Sequence, residues 1–243
     1  MNEQKIALVT GGNKGIGLEI CRQLGQQGIT ILLGARDEER GQEATNQLIK
    51  EGITAHYIHL DMDDAETFHQ AERFIAHEFG HLDILINNAG SIFETSAHID
   101  VLSIPEVRKT FDLNFFSQIR LTKTLLPLIE KSTAGRIVNQ SSILGSLTVN
   151  ANSNSGLLPE FKLLGYNASK AALNMFTILL ADQLKEKNIK VNSAHPGWVN
   201  TQLGGEKAPL TVEEGAKTAV ELALLPDDGP TGGFFHLGQS LPW

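Results

Sequence analysis

The sequence predicts an α/β protein whose doubly wound, mostly parallel sheet carries helices on both faces. Two observations lead to this prediction. Short apolar segments alternate with longer segments of helical periodicity, and a glycine-rich turn follows the first apolar segment. Repeated strand–helix–strand units with right-handed crossovers build such a sheet. Because 243 residues with 41% hydrophobic content can bury one large core, we expect a single domain over residues 1–243.

The individual elements follow from apolar periodicity and from the turn residues between them. Seven strands are predicted at residues 5–10, 30–34, 55–60, 83–87, 136–140, 190–194 and 234–237. Helices are predicted at residues 15–27, 38–50, 64–78, 105–131, 166–187 and 211–225. This order of elements predicts a Rossmann fold.

Three irregular segments cover residues 91–104, 143–165 and 197–210. Each follows the carboxyl end of a predicted strand, which is the edge where open α/β sheets bind ligands. We therefore expect the active site at this edge, with the 143–165 insertion and the 197–210 loop over the substrate.

Composition excludes several classes of function. The net charge is −8 and no long cluster of Lys and Arg occurs, so neither nucleic acid nor an anionic membrane is an expected partner. No apolar segment is long enough to cross a bilayer, and no apolar signal region precedes the first strand, which predicts a cytoplasmic protein. The eight histidines lack ligand spacing, so no metal site is expected. Cys21 lies on an apolar helical face, which favours a buried residue over a reactive thiol.

The turn after the first strand contains Gly11, Gly15 and Gly17. Glycines at these positions let the backbone turn sharply and approach a pyrophosphate, while the following helix supplies N–H groups to the phosphates. The alternative is a glycine-rich turn that binds no ligand. Because a predicted strand precedes this turn and a predicted helix follows it, dinucleotide binding is favoured.

Tyr166 and Lys170 are four residues apart at the start of a predicted helix. At this spacing both side chains leave the same face, so the ammonium group can lie beside the phenol. An isolated pair of this kind is usually an ordinary surface pair. Its interpretation as a catalytic acid depends on the other motifs of the chain.

Five motifs occur in a fixed order. They are TGxxxGxG at residues 10–17, Asn87-Asn88-Ala89-Gly90, Ser142, Tyr166 with Lys170, and Pro-Gly-Trp-Val-Asn-Thr at residues 196–201. From residue 6 to the C-terminus the chain resembles the short-chain dehydrogenase/reductase family. Residues 7–18, 34–42 and 232–243 are most similar to the NADPH-dependent carbonyl reductases of that family.

The resemblance implies a bound dinucleotide. Asp61 is expected to face the adenine, Asn88 and Gly90 the adenosine ribose, and Thr201 the nicotinamide carboxamide. The full set of expected cofactor contacts is Gly11, Asn13, Lys14, Gly15, Ile16, Gly17, Arg36, Asp61, Met62, Asn88, Ala89, Gly90, Tyr166, Lys170, Pro196, Gly197, Val199 and Thr201.

Charge predicts NADP(H) as the cofactor. An NAD-selective site usually has an acidic residue at the end of the second strand, where this chain has Ala35 followed by Arg36. A guanidinium group binds a phosphate in bidentate fashion, and Lys14 adds a second cation. The alternative is that Arg36 forms a surface ion pair with Asp37 or Glu39.

The predicted catalytic residues are Asn114, Ser142, Tyr166 and Lys170. Hydride transfer to a carbonyl carbon leaves an alkoxide that needs a proton, and Tyr166 is the candidate donor. Lys170 is expected to lower the pKa of that phenol. Since strand alternation turns only one of two adjacent serines to the cleft, Ser142 is chosen over Ser141 by its place in the family motif.

The resemblance assigns further roles to two of these residues. Lys170 is expected to bind the hydroxyls of the nicotinamide ribose. Asn114 is expected to bend its helix and to hold a water in a proton relay to the lysine. Because asparagine is unfavourable inside a helix, it calls for some compensating role, and a purely structural kink is the alternative.

The segment between Ser142 and Tyr166 is roughly twice as long as in ordinary members of the family. Residues 150–156 are polar, and residues 157–164 are predicted to form a short apolar helix over the site. In carbonyl reductases such an insertion accompanies a monomeric state, which is therefore favoured here. The expected substrate pocket is apolar and is lined by Phe93, Ile143, Leu157 and Trp198.

The predicted function is NADPH-dependent reduction of aldehydes or ketones, with quinones as further candidates. One alternative is an NADP-dependent alcohol dehydrogenase that works in oxidation. Another is a dinucleotide-binding sensor without turnover, since a fold alone does not establish catalysis.

Overall fold

A computed structural model describes residues 4–96, 98–152, 154, 156 and 161–243. In these ranges the strands are β1 Ile6–Thr10, β2 Thr30–Ala35, β3 Ala55–His59, β4 Ile84–Asn87, β5 Gly135–Gln140, β6 Ile189–Ala194, β7 Phe234–His236 and β8 Gln239–Ser240. They form one sheet in the order β3-β2-β1-β4-β5-β6-β7-β8. Every neighbouring pair is parallel except β7 and β8. The predicted fold class is confirmed.

The helices lie on both faces of this sheet. They are α1 Gly15–Gln26, α2 Glu38–Lys50, α3 Ala65–Glu78, α4 Ile104–Phe111, α5 Ser117–Ile129, α6 Leu147–Ala151, α7 Leu164–Gln183 and α8 Val212–Ala223. Apolar residues of α1, α2 and α8 pack on one face, and those of α3, α5 and α7 pack on the other. Cys21 is buried in the first of these clusters, as predicted, and burial raises the pKa of its thiol. None of the helices in the described ranges is long and apolar enough to cross a membrane.

The central strands are buried along their whole length, which explains their nearly continuous apolar sequences. β1 pairs with β2 on one side and with β4 on the other, so the chain reverses its winding direction between β1 and β4. A crevice forms at the carboxyl ends of the strands at such a switch point. The glycine-rich turn leaves β1 at this place.

The sheet has one strand more than the seven predicted. His236 ends β7, and Leu237 and Gly238 turn the chain with φ values of 46° and 75°. Two positive φ angles are typical of the tight turn that joins antiparallel strands. The prediction missed β8 because this strand has only two exposed residues and its turn lacks the usual Asn-Gly or Asp-Gly pair.

Two predicted segments differ in the structure. The single helix expected at 105–131 consists of α4, a π-helical turn at Asp112–Phe116, and α5. The segment after Ser142 is more regular than expected, since it contains a 3-10 turn at Ile143–Gly145 and then α6. Residues 157–160 of the expected helix over the site lie outside the described residues. α7 begins at Leu164, two residues before the predicted start.

Candidate functional site

The turn between β1 and α1 has a backbone that only glycines permit. Gly11 and Gly15 have φ values of 63° and 53°, in the region that favours glycine. A Cβ atom on Gly17 would overlap the carbonyl oxygen of Gly11. The Lys14 side chain does not cap α1, so the first N–H groups of this helix face the turn without a side-chain partner. Such a helix start fits a pyrophosphate. The same turn holds two further predicted contacts, Asn13 and Ile16.

The loop after β4 is fixed to this turn by Thr10. The backbone N–H groups of Asn88 and Ala89 donate to Thr10 Oγ1 at 2.9 and 2.8 Å, and Asn88 Nδ2 donates to the Thr10 carbonyl oxygen at 2.8 Å. Asn88 is therefore a structural tie between the two loops. This tie is compatible with its expected place beside the adenosine ribose.

Arg36 lies at the carboxyl end of β2 with an exposed side chain. Asp37 uses its carboxylate to accept a hydrogen bond from the Arg40 backbone N–H at 3.0 Å, which caps α2. Among the described residues no ion pair involves Arg36. The alternative pairing with Asp37 or Glu39 is thus not formed, and the guanidinium group is available to a 2′-phosphate.

Asp61 and Met62 follow β3, at the edge where the adenine is expected. Asp61 Oδ1 accepts a hydrogen bond from the Asp63 backbone N–H at 3.0 Å. The carbonyl oxygen of Met62 accepts from Ser117 Oγ at 2.6 Å, and the Met62 side chain packs in the core beside α3. Hydrogen bonds and packing with nearby residues therefore fix the positions of Asp61 and Met62.

Lys14 reaches across the crevice. Its Nζ atom donates to Gln202 Oε1 at 2.7 Å, so it joins the glycine-rich turn to the 197–210 loop. A Cβ atom on Gly15 would lie 3.6 Å from Thr201 Cγ2, which places the two loops in contact. Lys14, the second cation predicted to contact the 2′-phosphate, therefore contacts the 197–210 loop.

The 197–210 loop begins with a sharp turn after Pro196. Gly197 has a φ of 86°, and Val199 is buried. Thr201 Oγ1 accepts a hydrogen bond from the Gly204 backbone N–H at 3.0 Å. The Thr201 hydroxyl thus has the structural role of closing a turn, and the Thr201 methyl group faces Gly15.

Of the expected pocket residues, Trp198 is the most constrained. Its indole N–H donates to the Gly204 carbonyl oxygen at 2.7 Å, and its ring packs edge-on against Phe161 at 5.2 Å between centroids. Phe93 and Ile143 are partly buried. Leu157 lies outside the described residues.

The two adjacent serines after β5 have different surroundings. Ser141 Oγ donates to Asn174 Oδ1 at 2.6 Å in the interior. Ser142 Oγ accepts a hydrogen bond from the Leu144 backbone N–H at 3.2 Å, and the hydroxyl faces the Tyr166 phenol, whose pKa it lowers. Strand alternation therefore turns Ser142, the predicted residue, toward the tyrosine.

Lys170 is only 4% exposed, and its Nζ atom donates to the carbonyl oxygen of Gln140 at 2.8 Å. Burial lowers its pKa to about 8. The Nζ atom lies 5.7 Å from the centroid of the Tyr166 ring. Burial raises the pKa of the Tyr166 phenol to about 12, and the Ser142 hydroxyl opposes that rise. The pKa of the phenol is thus raised, because burial is the largest influence on it. The lowering expected from Lys170 stays a prediction.

The depressed pKa of Lys170 has a measurable effect on stability. Between about pH 8 and the ordinary lysine value of 10.5, the folded protein binds fewer protons at this site than the unfolded chain. The free energy of unfolding of the wild type therefore increases as pH rises through that window. We expect the free energy of unfolding of Lys170→Met, relative to wild type, to fall by up to about 3 kcal/mol over the window. Urea unfolding at several pH values measures this difference, and a constant difference would contradict the assignment.

Asn114 is fully buried in the π-helical turn Asp112–Phe116. Its Oδ1 atom accepts from the Ser91 backbone N–H at 2.9 Å, and its Nδ2 atom donates to the Ser91 carbonyl oxygen at 2.9 Å and to Ser169 Oγ at 3.2 Å. A Cβ atom on Gly90 would lie 3.2 Å from Asn114 Oδ1. Such turns frequently occur at functional sites. The turn explains why asparagine is tolerated here, and Asn114 ties the loop after β4 and α7 to this turn.

Sequence reasoning missed Glu94. Its carboxylate is 5% exposed, accepts from the Tyr166 backbone N–H at 2.6 Å, and accepts from Thr110 Oγ1 at 2.8 Å. A Cβ atom on Gly165 would lie 2.5 Å from Glu94 Oε2, so only glycine fits there. The residue that precedes α7, Leu163, has no polar side chain to cap the helix. A helix start without a capping side chain, next to a glycine, predicts that a carboxylate from elsewhere in the chain caps the helix.

We expect Glu94→Ala to lower the free energy of unfolding by about 1–2 kcal/mol, because it leaves the Tyr166 N–H and the Thr110 hydroxyl without their acceptor. Glu94→Gln keeps one acceptor oxygen and should lose less. Urea unfolding of both variants tests the cap. Equal stability of Glu94→Ala and wild type would show that the carboxylate does not support the helix.

The geometry joins a glycine-rich turn with an uncapped helix start, an exposed arginine at the end of β2, and a Ser–Tyr–Lys group at one edge of the sheet. Residues 5–210 match the profile of a family described as short chain dehydrogenase. The chain therefore belongs to the short-chain dehydrogenase/reductase family, and the predicted resemblance is confirmed.

Individual relatives extend over nearly the whole chain. Short-chain dehydrogenase/reductase 1 of Saponaria officinalis is 36% identical over 296 residues, which cover 99% of this chain and 97% of that protein. Carbonyl reductase (NADPH) 1 of Homo sapiens is 36% identical over 279 residues, which cover 98% of each chain. The solved NADPH-bound carbonyl reductase from chicken fatty liver superimposes with a TM-score of 0.87 at 26% identity, covering 99% of this chain and 95% of the other.

Proposed function

We propose that this chain reduces the carbonyl group of apolar aldehydes and ketones to alcohols with NADPH as the hydride donor. The observation that carries the proposal is the Ser142–Tyr166–Lys170 group, which lies at the same sheet edge as the pyrophosphate-binding turn. Relatives that are named NADPH carbonyl reductases support both the cofactor and the reaction.

The residues of the crevice fit NADP(H). The uncapped start of α1 offers N–H groups to the pyrophosphate, and Arg36 offers a free guanidinium group to the 2′-phosphate. Asp61 and Met62 flank the adenine, and the loop from Pro196 to Thr201 faces the nicotinamide. Lys170 binds the hydroxyls of the nicotinamide ribose.

Bound NADPH supplies a hydride to the carbonyl carbon of the substrate. Ser142 donates a hydrogen bond to the carbonyl oxygen and holds it beside the Tyr166 phenol. As the hydride adds, charge develops on this oxygen, and the phenol donates its proton there to complete the alcohol. Since burial raises the pKa of Tyr166 to about 12, the phenol carries its proton at neutral pH, as reduction requires.

The phenolate that remains must recover a proton. Lys170 stabilises it as the nearest cation, and Asn114 holds the loop through which a water reaches the lysine. A Cβ atom on Gly90 would lie 3.5 Å from Lys170 Nζ, so this loop is next to the ammonium group. A chain of hydrogen bonds to solvent then restores the acid.

The substrate lies between the carboxyl end of β5 and the 197–210 loop. The exposed ring of Trp198 and the partly buried ring of Phe161 line this side, and Ile143 follows the catalytic serine directly. Such walls favour a bulky apolar aldehyde, ketone or quinone over a small polar one.

NADPH consumption by the purified protein with a panel of aldehydes, ketones and quinones tests the proposal. We expect turnover to increase with the apolar size of the carbonyl compound and the product to be the alcohol. Binding of NADPH without consumption on any member of the panel would overturn the proposal and would favour a dinucleotide-binding sensor.

A further inference from the structure

The backbone pairing between β5 and β6 ends just before the catalytic serine. The Ser141 backbone N–H still donates to the Ala194 carbonyl oxygen at 2.8 Å. In a parallel pair the next donor from the β6 side is residue 196, which is a proline and has no N–H group. The ladder therefore cannot continue between Ser142 and the loop that Pro196 opens.

The imidazole of His195 makes the next connection between these two segments. Its Nδ1 atom accepts hydrogen bonds from the Ile143 backbone N–H at 3.2 Å and from the Gly197 backbone N–H at 3.4 Å. One N–H group belongs to the residue after Ser142, and the other belongs to the sharp turn that begins the 197–210 loop. A single nitrogen atom therefore holds the serine segment and this loop together.

The two donors determine where the His195 ring carries its proton. Because both N–H groups donate to Nδ1, this atom is unprotonated and the ring proton is on Nε2. Burial, with a smaller contribution from His236, lowers the pKa of His195 to about 3. The ring is therefore neutral at neutral pH, and Nδ1 remains an acceptor.

Contacts from β7 hold the backbone of the same residue. His236 Nδ1 donates to the His195 carbonyl oxygen at 2.9 Å, and the two ring centroids are 4.9 Å apart. The His195 backbone N–H donates to the Phe235 carbonyl oxygen at 2.8 Å. With its backbone fixed in this way, His195 presents Nδ1 to Ile143 from a defined position.

We infer that His195 is a positioning residue, whose imidazole fixes the Ser142 hydroxyl relative to the 197–210 loop. The inference rests on the proposed function, in which this hydroxyl holds the substrate carbonyl beside the Tyr166 phenol. His195 acts through the Ile143 backbone and does not contact the reacting atoms. Because the hydride and the proton must reach one carbonyl group, a displacement of about 1 Å can cost about 100-fold in rate.

His195→Leu and His195→Asn separate the acceptor atom from the ring. Both variants lack the imidazole, but the asparagine side-chain oxygen can take the place of Nδ1, where leucine has a methyl group. We expect His195→Leu to lower kcat for carbonyl reduction by about 10- to 100-fold at saturating NADPH. His195→Asn should keep most of the wild-type kcat. Neither variant should change the Kd for adenosine 2′,5′-bisphosphate, which has no nicotinamide.

Hydrogen exchange in the cofactor-free protein measures the same contact without turnover. The Ile143 amide should be protected in wild type and in His195→Asn, and it should exchange about tenfold or more faster in His195→Leu. Long-range proton–nitrogen NMR of wild type should show the His195 ring with its proton on Nε2 from about pH 5 to 8. The NMR measurement needs no variant, so it tests the acceptor even where His195→Leu does not fold.

His69→Leu is the matched control, because it makes the same substitution at an exposed position of α3. Its kcat and its Ile143 exchange rate should equal those of wild type. Wild-type kcat in His195→Leu, an equal loss in His195→Leu and His195→Asn, or a ring proton on Nδ1 would overturn the inference and leave the proposed function standing. A wild-type protein that consumes no NADPH with any carbonyl compound would overturn the proposed function, and this inference with it.

Discussion

Replacing Tyr166 by phenylalanine is expected to lower kcat for NADPH-dependent carbonyl reduction by about 10³-fold, within the range that a general acid contributes. The variant loses the hydroxyl group that faces Ser142 and, with it, the proton that the alkoxide needs. It keeps the aromatic ring and the packing of α7. The Kd for NADPH should therefore stay close to the wild-type value, which fluorescence titration measures alongside steady-state kinetics.

The chain has two tyrosines, so Tyr57→Phe is the matched control. The Tyr57 hydroxyl donates to the carbonyl oxygen of Ala35 at 3.0 Å, at the far end of the crevice from the proposed acid. Tyr57→Phe also removes a phenol hydroxyl but leaves the proposed proton donor, Tyr166, intact. Its kcat at saturating NADPH should therefore equal that of wild type. Full turnover by Tyr166→Phe would refute the assignment of the acid.

Replacing Arg36 by aspartate is expected to raise the Kd for NADPH by about 100-fold while the Kd for NADH changes less than about threefold. The guanidinium group is exposed and free of ion pairs among the described residues, so its charge is available to the 2′-phosphate. An aspartate at this position repels that phosphate and accepts hydrogen bonds from the ribose hydroxyls of NADH. Titration with each cofactor measures the two affinities.

Arg73→Asp controls for the change in net charge. Arg73 lies in α3, pairs with Glu66 at 2.8 Å and is exposed, so its replacement alters the overall charge equally and costs little stability. It should leave the ratio of the two Kd values unchanged. An equal loss of NADPH and NADH affinity in Arg36→Asp would refute the phosphate contact.

Much of the fold is predictable from sequence because its strands are buried and its helices are amphipathic, so local periodicity reports burial directly. The exceptions are local features without such a pattern. β8 has two exposed residues, and the π-helical turn at Asp112–Phe116 depends on contacts from Asn114 to Ser91 in another loop. Neither leaves a periodic signal in the chain.

The sequence predicts those parts of the candidate site that depend on residue types and on the order of the motifs. Helical spacing places Tyr166 beside Lys170, and the resemblance to the family gives the pair its expected role. The pKa of the phenol depends on burial, which spacing does not report. The uncapped start of α7 indicates that a carboxylate is needed there but does not identify Glu94, because the two lie 72 residues apart in the sequence. Cytoplasmic location and a monomeric state remain predictions, as do the roles assigned to individual site residues.

The anchoring of α7 by Glu94 has an evolutionary consequence. The helix that carries the phenol is held at its first turn from the loop after β4 and not by the residues just before it. A change in the length of the segment before α7 therefore leaves in place the carboxylate that fixes the first turn of this helix. Gly165, whose Cβ atom would collide with Glu94, marks the boundary between the part of the chain that tolerates such changes and the part that does not.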